Sequence, residues 1–129
     1  MAAIQQVPNL TVAEYNLLRA KQTTEAGLQR EVIARAELRR WMSYHTHDSR
    51  RSNPGYPDLH LVHPGAGLSL FLELKTHTGR VRPEQRTWID ALRATGHRAY
   101  LVRPLDLFEG TVDHLLDPRN AATWPGETA

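Results

Sequence analysis

The chain has 129 residues, 40% of them hydrophobic, with a formal net charge of +2 and an isoelectric point near 9.3. That length suits one domain built on one core. No run of 18 apolar residues is present to cross a bilayer, and the first residues lack the charged and apolar regions of a secretory leader, so a cytoplasmic protein is expected. The absence of cysteine excludes disulfides, thiolate zinc sites and a cysteine nucleophile.

In chain order, residues 1–22 read as an N-terminal arm in which Thr11-x-x-Glu14 forms a capping box for a short helix through Leu17 and Leu18. Thr23 or Thr24 opens a longer helix to about Trp41, with Leu28, Val32, Ile33 and Ala36 at helical spacing. Trp41–Thr46 alternates like a strand. A polar stretch punctuated by Asn53-Pro54-Gly55 follows. Asp58–His63 and Leu68–Lys75 read as strands joined by Pro64-Gly65-Ala66-Gly67, a hairpin. Pro83 suits the first position of a helix that ends at Gly96, a C′ glycine. His97–Arg103 is a further strand, and after Pro104 the segment Leu105–Leu116 is mostly helical. Residues 23–116 form the domain, and 117–129 read as a flexible tail. The order α-β-β-β-α-β-α implies an α/β fold, a mixed β-sheet flanked by helices.

The chemistry concentrates on the hairpin. Side chains alternate across a strand, so Asp58, His60 and Val62 share one face and Leu59 and Leu61 the other. In the second strand Leu70, Leu72 and Leu74 make an apolar face, and Phe71, Glu73 and Lys75 point the opposite way. Once the strands pair, Asp58, Glu73 and Lys75 meet on one side. Two carboxylates there repel unless a cation stands between them, and oxygen ligands select a hard ion, Mg²⁺ or Mn²⁺. A carboxylate pair with a lysine suits phosphodiester hydrolysis, the metal activating water and Lys75 positioning the nucleophile or stabilising developing charge. The bland alternative is a surface ion pair between Glu73 and Lys75. The choice of base is informative: of 16 Lys and Arg residues only Lys21 and Lys75 are lysine, the more tunable cation.

Two further polar residues face inward by phase. At 100° per residue, Leu28, Val32, Ile33 and Ala36 all lie within about 80° of Glu25, which makes this acid a candidate third metal ligand. Glu31 falls on the opposite side. A helix-dipole role for an acid in the first turn stands beside the ligand reading. Gln85 precedes Trp88 and Ile89 by three and four residues and so faces inward too; capping near Pro83 is its alternative.

Gly55-Tyr56-Pro57-Asp58-Leu59-His60-Leu61-Val62, Phe71-Leu72-Glu73-Leu74-Lys75, Gly79, Pro83-Glu84-Gln85-Arg86-Thr87-Trp88, Gly96-His97 and Val102-Arg103-Pro104 together resemble the virus-type replication–repair nuclease (VRR-NUC) branch of the PD-(D/E)XK superfamily. The resemblance spans roughly Thr24 to Leu107. It implies a restriction-endonuclease-like core and divalent-metal cleavage of DNA. It also implies a metal held by Glu25, Asp58, Glu73 and the Leu74 carbonyl, with Asp58, Glu73, Lys75 and Gln85 as catalytic residues. Glu31 and Glu37 compete with Glu25 as the helix acid. Tyr44–Ser52 is similar to phage-type stand-alone members, where a His- and Ser/Arg-rich loop precedes the Gly-x-Pro-Asp motif. Arg82 departs from the pattern, since a capping Ser or Thr is expected before Pro83.

Arg50, Arg51, Arg80, Arg82 and Arg86 lie in segments bordering the site and could neutralise phosphates without reading bases; His45 and Ser49 join them as candidate nucleic-acid contacts. No zinc finger, basic zipper or other base-reading module is visible. The rival readings are a catalytically inactive DNA-binding module of the same fold, a zinc site from His45-x-His47 or His60-x-x-His63, and a structural phage component. His60 and His63 fall on opposite strand faces, which spoils a shared zinc site. Branched DNA, a Holliday junction or flap, is the substrate class that the resemblance suggests. Cutting two strands favours a homodimer, although no hydrophobic dimer stripe is evident.

Overall fold

The computed structural model describes residues 9–46 and 53–127. Helix α1 spans Val12–Gln22 and starts at the expected capping box: Thr11 Oγ1 accepts from the Glu14 N–H at 3.1 Å, and Glu14 Oε1 accepts from the Thr11 N–H at 3.4 Å. It continues past Leu18 because nothing in Arg19-Ala20-Lys21-Gln22 breaks a helix. Thr24 caps α2, Glu25–Leu38, by accepting from the Gly27 N–H.

Helix α2 stops three residues short of Trp41. Arg40 takes a left-handed φ of 70°, the Trp41 N–H donates to Ala36 O and the Arg40 N–H to Glu37 O, each at 3.0 Å. This is a Schellman turn with an arginine at the position usually held by glycine, so the stop signal was absent from the composition.

Four strands follow the predicted hairpin and crossover: β1 Met42–His45, β2 Leu59–His63, β3 Leu68–Leu74 and β4 Arg98–Val102. Their order across the sheet is β1-β2-β3-β4, with β1–β2 and β2–β3 antiparallel and β3–β4 parallel. Helix α3, Pro83–Ala94, makes the crossover that a parallel pair requires. The segment after Pro104 is two short helices, α4 Pro104–Phe108 and α5 Thr111–Leu116, rather than one. They part at Gly110, whose φ is 90°.

The alternation read on the strands places the core. Leu59, Leu61, Leu70, Leu72 and Leu74 pack on one face of the sheet against Leu28, Val32 and Ala36 of α2 and Leu115 and Leu116 of α5. Phe71 and Ala99 pack on the other face under Ile89 and Leu92 of α3. Arg35 and Arg39 both reach Asp113, at 2.7 and 3.0 Å, and tie α2 to α5. Helix α1 lies against α4, with the Arg19 guanidinium 4.0 Å above the Phe108 ring.

The stretch from Asp117, expected as a flexible tail, is packed through Glu127. Pro118–Asn120 forms a 3-10 turn, Ala122 and Thr123 are buried, and Trp124 lies on Tyr100 with ring centres 5.3 Å apart. Glu127 accepts from the Tyr100 hydroxyl at 2.8 Å and pairs with Arg98. The reason is that β4 is an edge strand, and apolar Ala122 and Trp124 find cover beside it.

Candidate active site

The site forms where β2 begins and β3 ends. Asp58 directly precedes β2, and Leu59 pairs with Leu72, so one step along that register Asp58 comes level with Glu73. The Leu74 N–H donates to Asp58 Oδ2 at 2.7 Å and locks the carboxylate against the end of β3. Glu73 points away from the leucine face, as the alternation requires, and α3 covers it. It is only 2% exposed.

Gln85, on the first turn of α3, holds Glu73. Its Nε2 donates to Glu73 Oε1 at 2.8 Å, and its own Oε1 accepts from the Arg82 N–H at 2.9 Å. The two bonds together set which way the amide faces. Gln85 therefore both turns inward to Glu73 and caps the start of α3. Its bonds also answer the missing capping side chain at Arg82, because the reciprocal half of the box suffices to satisfy that N–H.

Glu73 Oε2 is buried without a hydrogen-bond donor. Burial above all, and then the nearby Asp58 carboxylate, push the Glu73 pKa up to about 8, against a smaller opposing pull from Lys75. In the protein without metal a proton takes up the repulsion between the two acids at neutral pH. A buried, acceptor-only oxygen paired with a second carboxylate is the kind of donor set that a hard divalent cation uses.

Glu25 stands at the first position of α2. Burial raises its pKa, as does the Asp58 charge, while Lys75 and Arg82 oppose, so it belongs to the same electrostatic neighbourhood. It is nevertheless exposed on the first turn of α2. Among the described residues no three His, Cys, Asp or Glu side chains are gathered into a ready metal cage, so the three-acid set of Glu25, Asp58 and Glu73 is not closed here. Glu31 is placed elsewhere, paired with Arg35 at 3.3 Å on an exposed helix face. Glu37 is also exposed, near the far end of α2.

The remaining expected contacts separate. Arg80, Arg82 and Arg86 are exposed around the start of α3, with Arg82 3.7 Å from Glu84. His45 pairs with Leu59 across β1–β2 and so shares the leucine side of the sheet. Ser49, Arg50, Arg51 and His47 lie outside the described residues. The zinc alternative loses His63: its Nδ1 accepts from the Ala66 N–H at 3.0 Å, its Nε2 lies 2.8 Å from Arg39 O, and its ring packs edge-on to Trp41. His60 is on the opposite face, stacked on Phe71 at 4.1 Å and bonded to Ser69. Burial, and secondarily His97, lowers its pKa.

Two supports were not legible beforehand. Gly55 has a φ of 89°, and a Cβ there would lie 2.4 Å from the Glu84 carbonyl, so the Gly-x-Pro-Asp loop rests directly on the start of α3. Arg103 donates from Nη1 to Thr76 O at 2.7 Å and Gly79 O at 2.8 Å, pinning the loop that follows Lys75. Carbonyl partners leave no trace in a sequence, so only the Val102-Arg103-Pro104 motif marked this arginine.

Comparison with known proteins joins this geometry to a family. The family model described as the VRR-NUC domain matches residues 5–104. The chain belongs to the VRR-NUC family. A solved structure titled "VRR_NUC domain" shares the fold with a TM-score of 0.58 at 23% identity, covering 70% of this chain and 95% of the other. The search among curated proteins finds no match. VRR-NUC is a nuclease family, and the four-stranded mixed sheet with helices on both faces agrees with the PD-(D/E)XK core that the motifs implied. No described helix of this VRR-NUC chain is long and apolar enough to cross a membrane.

Proposed function

We propose that the chain is a divalent-metal-dependent nuclease that hydrolyses DNA phosphodiester bonds, with Asp58, Glu73, Lys75 and Gln85 as its working set. The observation that carries this reading is the buried Glu73 beside the half-buried Asp58, in which Glu73 Oε2 has no donor and Gln85 occupies only the other oxygen. A buried acid set beside a second carboxylate costs stability, and the match to a nuclease family supplies a use for it.

Asp58, Glu73 and the Leu74 carbonyl would hold Mg²⁺ or Mn²⁺, with Glu25 near enough in charge to complete the set. When bound, such a cation neutralises phosphate charge and makes water a better nucleophile at neutral pH. The protein's own residues do the rest. The Leu74 N–H keeps Asp58 from rotating, and Gln85 keeps Glu73 in one rotamer. Lys75, at the end of β3, brings a compact cation to the same side for the attacking water or the charge that develops on the phosphate. Arg80, Arg82 and Arg86 supply neutralising charge for flanking phosphates; Arg50 and Arg51 would add to that charge, and Ser49 and His45 would contribute hydrogen bonds to phosphate oxygens.

Branched DNA is the substrate to try first, and cutting both strands of a junction calls for two copies of the site, hence a homodimer. The test incubates wild type, Asp58→Asn and Lys75→Ala with linear, nicked, flap and four-way DNA in Mg²⁺, Mn²⁺ or EDTA. Wild type should cleave only with metal. Each variant should lose at least about 100-fold, the scale of removing one group that acts on the transition state. DNA binding without metal-dependent cleavage by wild type would instead make this an inactive binding module.

A further inference from the structure

A groove of about 440 Å³ runs beside the site, between the α1–α2 junction and the loop after β3, lined among others by Lys21, Thr23, Thr24, Glu25, His77 and Thr78. Its size lies within the range of pockets that hold small organic groups, about 300–1,000 Å³. We propose that this groove receives one nucleotide of the substrate strand next to the cleaved bond, its phosphate held between Lys21 on one wall and His77 on the other. The proposal rests on the nuclease reading above and adds to it where the strand runs.

Four observations carry it. The groove is continuous with the site, since Glu25 and Thr76 line it and Thr76 follows Lys75 directly. Its walls carry Lys21 and His77, and Glu25, the one acid among its lining residues, has Lys75 and Arg82 as well as Asp58 for charged neighbours. Threonine methyls and the stems of Lys21 and Gln22 give it apolar surface for a sugar or base. The loop wall is held in place: Arg103 ties down the Thr76 and Gly79 carbonyls, and a Cβ at Gly79 would meet Thr76 Oγ1 at 2.9 Å. The two lysines of this arginine-rich chain thus flank one continuous path. A lysine in the last turn of α1 also complements the helix dipole, so stability alone does not discriminate.

The test is a phosphate walk. Single uncharged methylphosphonate linkages are placed in turn along one strand of a flap and of a four-way junction. Affinity is measured with Ca²⁺ in place of Mg²⁺ for wild type, Lys21→Gln, His77→Ala and, as a distant control, Arg119→Gln. Wild type should weaken at specific linkages beside the cut. Lys21→Gln should abolish the sensitivity at one of them and flatten the dependence of log affinity on log salt by about 0.7–0.9, one phosphate's worth. His77→Ala should blunt the same linkage, Lys21→Arg should restore it, and Arg119→Gln should leave the pattern as in wild type. An unchanged linkage pattern in Lys21→Gln, or a flat one in wild type, would overturn the groove assignment. If Lys21→Gln alters the pattern but wild type never cleaves with Mg²⁺ or Mn²⁺, the groove stands and the nuclease reading fails. If wild type cleaves while Lys21→Gln keeps the wild-type pattern, the groove fails alone.

Discussion

Glu73 is where burial and function meet in a single side chain. Its pKa is raised from an ordinary 4.5 to about 8, so between those values the folded, metal-free protein holds a proton that the unfolded chain has released. The stability associated with that proton is fully present below about pH 4.5 and is lost as pH rises through about 8. Glu73→Gln removes the penalty of ionising in place. In chelator it should therefore melt higher than wild type at about pH 9, the gap narrowing toward pH 5; calorimetry across pH checks this, and a constant gap would refute it. Gln85 acts through two hydrogen bonds at once. Gln85→Leu strands the Arg82 N–H and Glu73 Oε1, so it should cost about 1–3 kcal/mol of stability. It should also lower cleavage at least about tenfold, a barrier change of about 1.4 kcal/mol, with DNA affinity less affected. Melting curves and single-turnover rates separate the two effects.

Elements position these residues through their ends. The start of α3 is held by the loop at Gly55, whose positive φ and closeness to the Glu84 carbonyl leave no room for a Cβ. Gly55→Ala combines backbone strain of about 1–3 kcal/mol with a clash that moves α3 and Gln85 with it. Its activity should fall along with its melting temperature, and an unchanged rate in a folded Gly55→Ala would show that α3 is not held this way. The end of α2 offers the opposite sign. Arg40 sits at φ 70°, a conformation that costs a non-glycine residue about 1–2 kcal/mol. Arg40→Gly should stabilise the protein by about 0.5–1 kcal/mol after the entropy of glycine is deducted, measured by denaturant titration.

At the scale of the molecule, the two faces of the sheet have different duties. The leucine face carries most of the core under α2 and α5, and the Phe71 face carries Glu73 and Gln85 under α3. The C-terminal stretch closes over β4 with Ala122 buried and Trp124 on Tyr100. Removing residues 117–129 should therefore lower stability by about 2–4 kcal/mol, the scale of uncovering one or two large apolar groups. A loose tail would leave the melting temperature where it was.

Strand alternation and helical phase are local, and they were enough to identify the hairpin, its leucine face, the common side of Asp58 and Glu73, and the inward turn of Gln85. The motifs they carried were enough to name the family. What required the folded chain is whatever depends on distant elements meeting. Helical phase separated Glu25 from Glu31, but only the placement of α2 brings Glu25 into the electrostatic neighbourhood of Asp58 and Lys75. Gln85's hydrogen bond to Glu73, Arg103's grip on two carbonyls and the docking of Trp124 on Tyr100 join residues 12 to 27 positions apart. Burial raises the Glu73 pKa most, and the Asp58 charge that adds to it acts only when β2 brings Asp58 alongside. The sequence thus determined which chemical groups each face presents, and the tertiary structure decided which of them share one site, since side-chain periodicity is set within an element and contact is set between elements.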